Sequence, residues 1–194
     1  MMANDMRLRT IGTATAVVFA VQALLFARID VKVEYDKAFD FKTVRSWEFS
    51  PQGPGQVKMA RTQYDDPEAM HKRTMPLIVE AITTNLNQRG LVRATPPDLV
   101  VTYYLLLSTS ISSQTMGQFL PATTFWGLPP FPPATQSMEV MNRGSLVLDL
   151  SAKDTVVWRG LAQANIKMDT DEKKRESLLR DAIRDLLRRY PPRR

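Results

Sequence analysis

The stretch from Asn142 to Ala162 constrains the fold more than any other, because it reads as two consecutive strands meeting at a tight polar turn. Leu146, Leu148 and Leu150 alternate with Val147 and Asp149, the period of two expected when one face of a strand is buried and the other is not. Ala152, Lys153 and Asp154 supply the turn. From Thr155 to Ile166 the chain resumes with Val156, Val157, Trp158, Leu161 and Ile166, β-branched and aromatic residues that suit a pleated surface. Nothing in this hairpin declares a chemistry, so architecture and compartment are more legible here than activity.

The chain has 194 residues and 44% apolar content, the size of one domain plus a short appendage. Arg7 and Arg9 precede an uncharged run from Ile11 to Ala27, the basic region and apolar region of a secretory signal. Val18-Phe19-Ala20 and Val21-Gln22-Ala23 each place a small residue where cleavage can occur. Left uncut, the run spans roughly 25 Å as a helix, the short limit for crossing a membrane. A buried core helix fits it less well, since it lacks a polar face. Residues 1–28 are therefore expected to be a signal peptide or membrane anchor, and residues 29–192 a single periplasmic domain, soluble after cleavage or tethered to the inner membrane.

There are 0 cysteines, so disulfides, thiolate metal sites, a Cys nucleophile and lipid attachment at a lipobox cysteine are all excluded. The formal charge of +6 implies some attraction to anionic surfaces such as phospholipid headgroups, cell-wall polymer or nucleic acid. Export and the even spread of acids argue against nucleic acid.

Ile29, Val31, Val33 and Tyr35 alternate with Asp30, Lys32 and Glu34 as an amphipathic strand. A second strand runs from about Lys42 to Ser50 around Val44, Trp47 and Phe49, and Pro51, Gly53, Pro54 and Gly55 end it as a loop. Asp66-Pro67-Glu68 has the form of an N-cap followed by proline in the first turn. Pro76 lies in the proposed helix interior, where proline costs about 3 kcal/mol, so a kink is expected, with the principal helix from Thr74 to Arg89. Gly90 stands at the C-terminal left-handed position, with Leu91 packing back. Asp98 to Ser113 reads as a central strand, and residues 114–136 as a proline and aromatic loop. Asp169 and Glu172 predict a capping box for a last helix carrying Leu178, Leu179, Ala182, Ile183, Leu186, Leu187 and Tyr190, with Glu176–Arg180 and Asp185–Arg189 pairs outside. The order ββαβββα predicts an α+β fold, a five-stranded antiparallel or mixed sheet with both helices packed against it.

Asp36, Asp40-Phe41 and Trp47, then Arg89-Gly90, Pro97-Asp98-Leu99, Gly144-Ser145-Leu146-Val147 with Asp149, Val157-Trp158-Arg159-Gly160 and Tyr190-Pro191-Pro192 stand in an order that resembles the bacterial domain of unknown function 4136. The resemblance covers Ile29 to Pro192. It implies an α+β envelope protein, commonly a lipoprotein, without an established biochemical role. The family's lipobox cysteine is missing near Ala23 to Ala27, and the loop often rich in glycine and tyrosine is here rich in proline and phenylalanine.

His71, the one histidine, reads as a solvated residue, and a metal site or a Ser-His-Asp triad has little to build on. Neither a metal nor a cofactor is implied. Two carboxylates among Asp36, Asp40, Asp98 and Asp149 could serve a hydrolase as acid and base. Structural roles suit them better: Asp36 and Asp98 adjoin strand ends, and Asp149 can pair with Arg159 across the hairpin. Trp47 and Trp158 read as core or sheet-face aromatics. Phe119, Phe125, Trp126 and Phe131 either fold back over the sheet or present an apolar patch to a partner or membrane. The Arg180, Arg184 and Arg188 row reads as a solvated face. The leading expectation is a non-enzymatic envelope domain that binds a protein partner or cell-wall component through the exposed sheet end and the aromatic loop. The other readings are a carboxylate-based hydrolase of glycan or peptidoglycan and a small-ligand or lipid carrier.

Overall fold

Lys153 and Asp154 both take the left-handed conformation, with φ of 48° and 64°, as a two-residue hairpin turn between right-twisted strands requires. They join β8 (Ser145–Ala152) to β9 (Thr155–Ala164), which pair antiparallel with a bulge near Leu150 and Ser151. β9 pairs on its other side with β1 (Ile29–Tyr35), and β8 with β5 (Leu99–Leu107). The computed structural model of the protein describes residues 29–59, 66–107, 114–115, 139–140, 144–164 and 171–192. The N-terminal run, the loop aromatics and Asp169 lie outside the described residues.

The sheet is mixed and has seven strands, more than the five that the sequence predicted. The predicted second strand is present as β2 (Ser46–Phe49), and two further strands, β3 (Gly55–Met59) and β4 (Val92–Arg93), were not foreseen. β2 runs parallel to the first part of β5, and β3 runs parallel to the second part on the same edge. Between them Ser50 to Pro54 steps out and back, held by Ser50 N–H on the Val101 carbonyl at 3.1 Å and Tyr103 N–H on the Pro54 carbonyl at 3.0 Å. The Pro-Gly segment ends β2 as expected, and β3 then takes up the same edge of β5. Gly55 opens β3 because a Cβ there would strike the Tyr103 ring and carbonyl. The second unforeseen strand, β4, adds two residues to the outside of β2. A further short pair, β6 (Gln114–Thr115) with β7 (Glu139–Val140), stands apart from this sheet. The start of the predicted second strand is a 3-10 turn at Phe41–Thr43, capped by Asp40.

Helix α1 (Pro67–Asn87) is continuous through Pro76, contrary to the predicted kink and later start. Pro76 is exposed, so the carbonyl it leaves without an amide partner can face water. Asp66 caps α1 through a 2.9 Å bond from Glu68 N–H, and Gly90 at φ 79° lets Leu91 N–H return to the Leu86 carbonyl at 3.2 Å. Helix α2 (Glu172–Leu187) starts after Asp171, which makes no side-chain cap. Arg180 reaches Glu80 of α1 at 3.0 Å, across the two helices and away from the predicted Glu176 partner. Asp185 holds Arg184 and Arg188 in place of the predicted Arg189.

Ile78, Ile82 and Leu86 of α1 and Ile183, Leu186 and Leu187 of α2 cover Val101, Tyr103, Leu146, Leu148, Leu150 and Trp158. Each such aliphatic side chain contributes about 2 kcal/mol on burial. Gly160 makes the close approach of α2 available, since a Cβ there would lie 2.5 Å from Trp158 and 2.7 Å from Leu186. Both helices run the same way, from the end of the sheet where β1 begins to the end where the hairpin turns, as the Arg73–Glu172 and Arg180–Glu80 contacts show. We call these the near and far ends.

Candidate functional site

Successive residues of β8 and β9 point to opposite faces, and the residues between the leucines and around Trp158 occupy the face away from the helices. There the register sets Asp149 opposite Arg159. Arg159 donates from Nε to Asp149 Oδ1 at 2.6 Å and from Nη2 to Oδ2 at 2.5 Å, with both side chains 1% exposed. Burial works against the Arg159 cation, and the hydrogen bonds and charge of Asp149 outweigh it, holding the guanidinium protonated above its usual range. Glu34 lies across from Arg159 on β1. Burial pushes the Glu34 carboxyl up, and Arg159 draws it back. Ser145, Val147, Leu161 and Gln163 are buried on the same face.

The other motif carboxylates hold backbone. Asp36 accepts from Ala38 N–H at 2.8 Å and Asp40 from Lys42 N–H at 3.2 Å. Asp98 Oδ2 accepts from Arg45 N–H at 2.8 Å and Ser46 N–H at 2.9 Å, while its own N–H donates to Ser46 Oγ at 3.0 Å. These bonds, from Arg45 first, hold the Asp98 carboxyl below its usual range. The clasp fastens the start of β2 to the start of β5. Asp149 sits apart from the other three, in the middle of the sheet, and its oxygens are engaged by Arg159. Gly144 opens β8 at φ 142°, and its carbonyl accepts from Ala164 N–H at 3.0 Å. Trp47 and Trp158 are fully buried, with neither indole N–H bonded. His71 is half-buried and stacks on Tyr103 at 6.4 Å, a correction to the solvated reading. Burial pushes the Tyr103 hydroxyl up to about 12. Among the described residues no group of three or more His, Cys, Asp or Glu is placed to hold a metal ion.

The concave feature is elsewhere, at the sheet edge where the chain steps out between β2 and β3. A groove of about 660 Å³ is lined by Phe49, Pro54, Met75, Val79, Thr95 and Pro97. Arg93 and Glu48 add its charge. Arg93 donates from Nε to Glu48 Oε1 at 2.7 Å, and its guanidinium lies 5.8 Å from the Trp47 ring and 5.4 Å from the Phe49 ring. Hydrogen bonding to Arg93 lowers the Glu48 carboxyl, so the pair stays charged. Alongside the groove no described strand pairs with the outer edge of β3. Sequence reasoning passed over these residues. The signal available was the pair of proline clusters, Pro51 with Pro54 and Pro96 with Pro97, but composition does not reveal that the two lie side by side.

Comparison with known proteins bears on the fold. The family model for the domain of unknown function DUF4136 matches residues 31–192. A crystal structure of a DUF4136 family protein from Bacteroides thetaiotaomicron superimposes with a TM-score of 0.53 at 16% identity, over 84% of this chain and 96% of that one. A PDZ domain protein from Parabacteroides distasonis aligns at 0.48 and 13% identity over 89% of this chain and 38% of its own length. The PelC dodecamer from Paraburkholderia phytofirmans aligns at 0.40 and 10% identity, over 82% of this chain and 95% of that one. No curated protein sequence matches the chain. Among the described residues no helix is long and apolar enough to cross a membrane.

Proposed function

The chain belongs to the DUF4136 family of unknown function, and from that premise we propose that it is a non-enzymatic, exported domain of the cell envelope that binds a polypeptide partner or cell-wall component. The observation that carries this reading is the groove beside β3, an apolar concavity next to a strand that, among the described residues, pairs with no strand but β5. Apolar lining with one fixed ion pair suits recognition by shape and backbone. The motif carboxylates are already engaged in holding backbone or Arg159, which takes from the hydrolase reading its candidate acid and base. A carrier would need an enclosed cavity, and this groove is at the sheet edge. Export rests on the basic and apolar N-terminal pattern, and the aromatic residues Phe119, Phe125, Trp126 and Phe131 remain the proposed second contact.

A photo-crosslinking residue placed at Ser50 or Thr95, on the groove, should capture a discrete partner in cells, while the same residue at exposed Thr84 should not. Val79→Glu, which puts a charge into the groove, should abolish capture. Deleting residues 118–133 tests the aromatic contribution separately. Equal crosslinking at all three positions, or capture indifferent to Val79→Glu, would remove the groove from the reading.

A further inference from the structure

The far end of the molecule gathers arginines from several elements. Arg89 follows α1, Arg188 and Arg189 follow α2, and Arg45 and Arg93 belong to the β2 and β4 edge. Arg89 donates to the Asn85 carbonyl at 2.9 Å and to the Tyr190 carbonyl at 3.2 Å, which fixes its guanidinium between the two helix ends. No carboxylate of the described residues pairs with it. Burial and then the charge of Arg188 both press its pKa down. The carboxylates on this side are already committed: Asp98 to the backbone of Arg45 and Ser46, Glu48 to Arg93, and Asp185 to Arg184 and Arg188. Along the hairpin side of the same end, Asp36, Asp40 and Asp154 are matched by Lys37, Lys42 and Lys153.

Val92 stands beside Arg45 and Arg93, at the same end of the molecule as the helix-terminal arginines. It is 64% exposed, the one large hydrophobic side chain exposed among the described residues, and its N–H is fixed on the Arg45 carbonyl at 2.9 Å. Exposed Ala94 and Pro96 continue the apolar surface. A lone exposed valine is ordinary. Set at the same end as Arg89 and Arg189, which pair with no described carboxylate, and Arg188, whose guanidinium meets Asp185 at 3.4 Å, it makes a surface complementary to one that offers phosphate at one depth and hydrocarbon just below.

We propose that the far end of the protein docks on bilayers rich in anionic phospholipid, with Arg89, Arg188 and Arg189 over the phosphate layer and Val92 reaching the boundary between headgroups and acyl chains. An anionic glycan would satisfy the arginines and leave Val92 without a counterpart. Docking is independent of the groove and of export, so either can fail without the other.

The chain has no cysteine, so Val92→Cys can carry a single environment-sensitive dye in the full-length protein, with exposed Ser177→Cys, toward the other end of α2, as control. Whatever the N-terminal apolar run adds to vesicle binding is common to both lipid compositions, and the informative quantity is the difference between lipids. The dye at position 92 should shift to the blue on vesicles of phosphatidylglycerol and phosphatidylcholine, but not on phosphatidylcholine alone, and high salt should reverse the shift. Each arginine near such a surface changes partitioning about fivefold. Arg188→Gln with Arg189→Gln, both exposed and compatible with the fold, should therefore weaken charge-dependent binding about 25-fold, and adding Arg89→Gln about a hundredfold. An equal shift on neutral vesicles, an equal response at position 177, or unchanged binding by the double variant would each overturn the proposal.

Discussion

Arg159→Met tests whether the buried pair on the outer face of the hairpin is a structural clasp. The substitution keeps most of the side-chain volume and leaves Asp149, 1% exposed, without its two short donors. Hydrogen bonds to charged groups contribute about 1.5–3 kcal/mol each, and removing one partner of a buried ion pair costs about 3–5 kcal/mol. In a chain of this size 1 kcal/mol moves Tm by about 2–4 °C, so the variant should melt roughly 10–15 °C lower. Replacing both residues, as Asp149→Leu with Arg159→Met, removes the stranded charge along with the pair, and such exchanges are often neutral. The neighbouring Glu34 and Tyr104 also feel Arg159, so the double variant should fall within about 2 kcal/mol of the parent. Urea unfolding followed by circular dichroism at neutral pH measures the parent, the double variant and both single variants, Arg159→Met and Asp149→Leu. A single variant within about 1 kcal/mol of the parent, or a double variant no better than the sum of the singles, would refute the clasp.

Three further outcomes follow from local geometry. Gly160→Ala drives a methyl against Trp158 and Leu186 at 2.5 and 2.7 Å, and should cost about 1–3 kcal/mol by thermal melting; an unchanged Tm would mean that α2 is not seated on this glycine. Replacing Lys153 and Asp154 by Asn and Gly should raise stability by about 1 kcal/mol, because both positions hold positive φ at the hairpin turn; a loss would contradict the assigned turn. Asp98 has a folded pKa below its usual 3.8, so its contribution is present above that value and is lost as pH falls through the folded one. The acid limb of the stability profile should therefore be shallower in Asp98→Asn, and parallel limbs in the two proteins would show that the clasp contributes nothing.

Local signals were legible wherever one period or one cap decided the outcome. Ile29 to Tyr35 and the leucines of β8 alternate because successive side chains leave a strand on opposite faces, and both segments are strands. The second face of β8, expected to be unburied, is buried as well, at Val147 and Asp149. Gly90 at φ 79° and Asp66 on Glu68 N–H are recorded in single residue types with a single use at a helix end. Pro76 misled, because proline's cost depends on whether the freed carbonyl reaches water, and that depends on which side of α1 meets the sheet. Arg180 misled for a related reason: Glu176 is four residues away along α2, yet the parallel neighbour brings Glu80 to 3.0 Å.

The groove was illegible for a deeper reason. Pro51, Gly53, Pro54 and Gly55 carry the composition of a strand terminus, and locally they do end a strand. What restores pairing is β5, nine residues long and able to accept β2 on its first third and β3 beyond it. The step between the two leaves the notch that Met75 and Val79 of α1 then roof with Pro97. Each contributor is unremarkable in its own segment, and only the shared partner strand gives them a common surface. The far-end arginines have the same origin. Arg89 and Arg188 are almost a hundred positions apart in the chain, and parallel helices over one sheet bring their charges to the same end. The two surfaces proposed for binding are thus each assembled by topology from segments that are individually bland, and point substitutions at Val79 and at Arg188 with Arg189 test them separately.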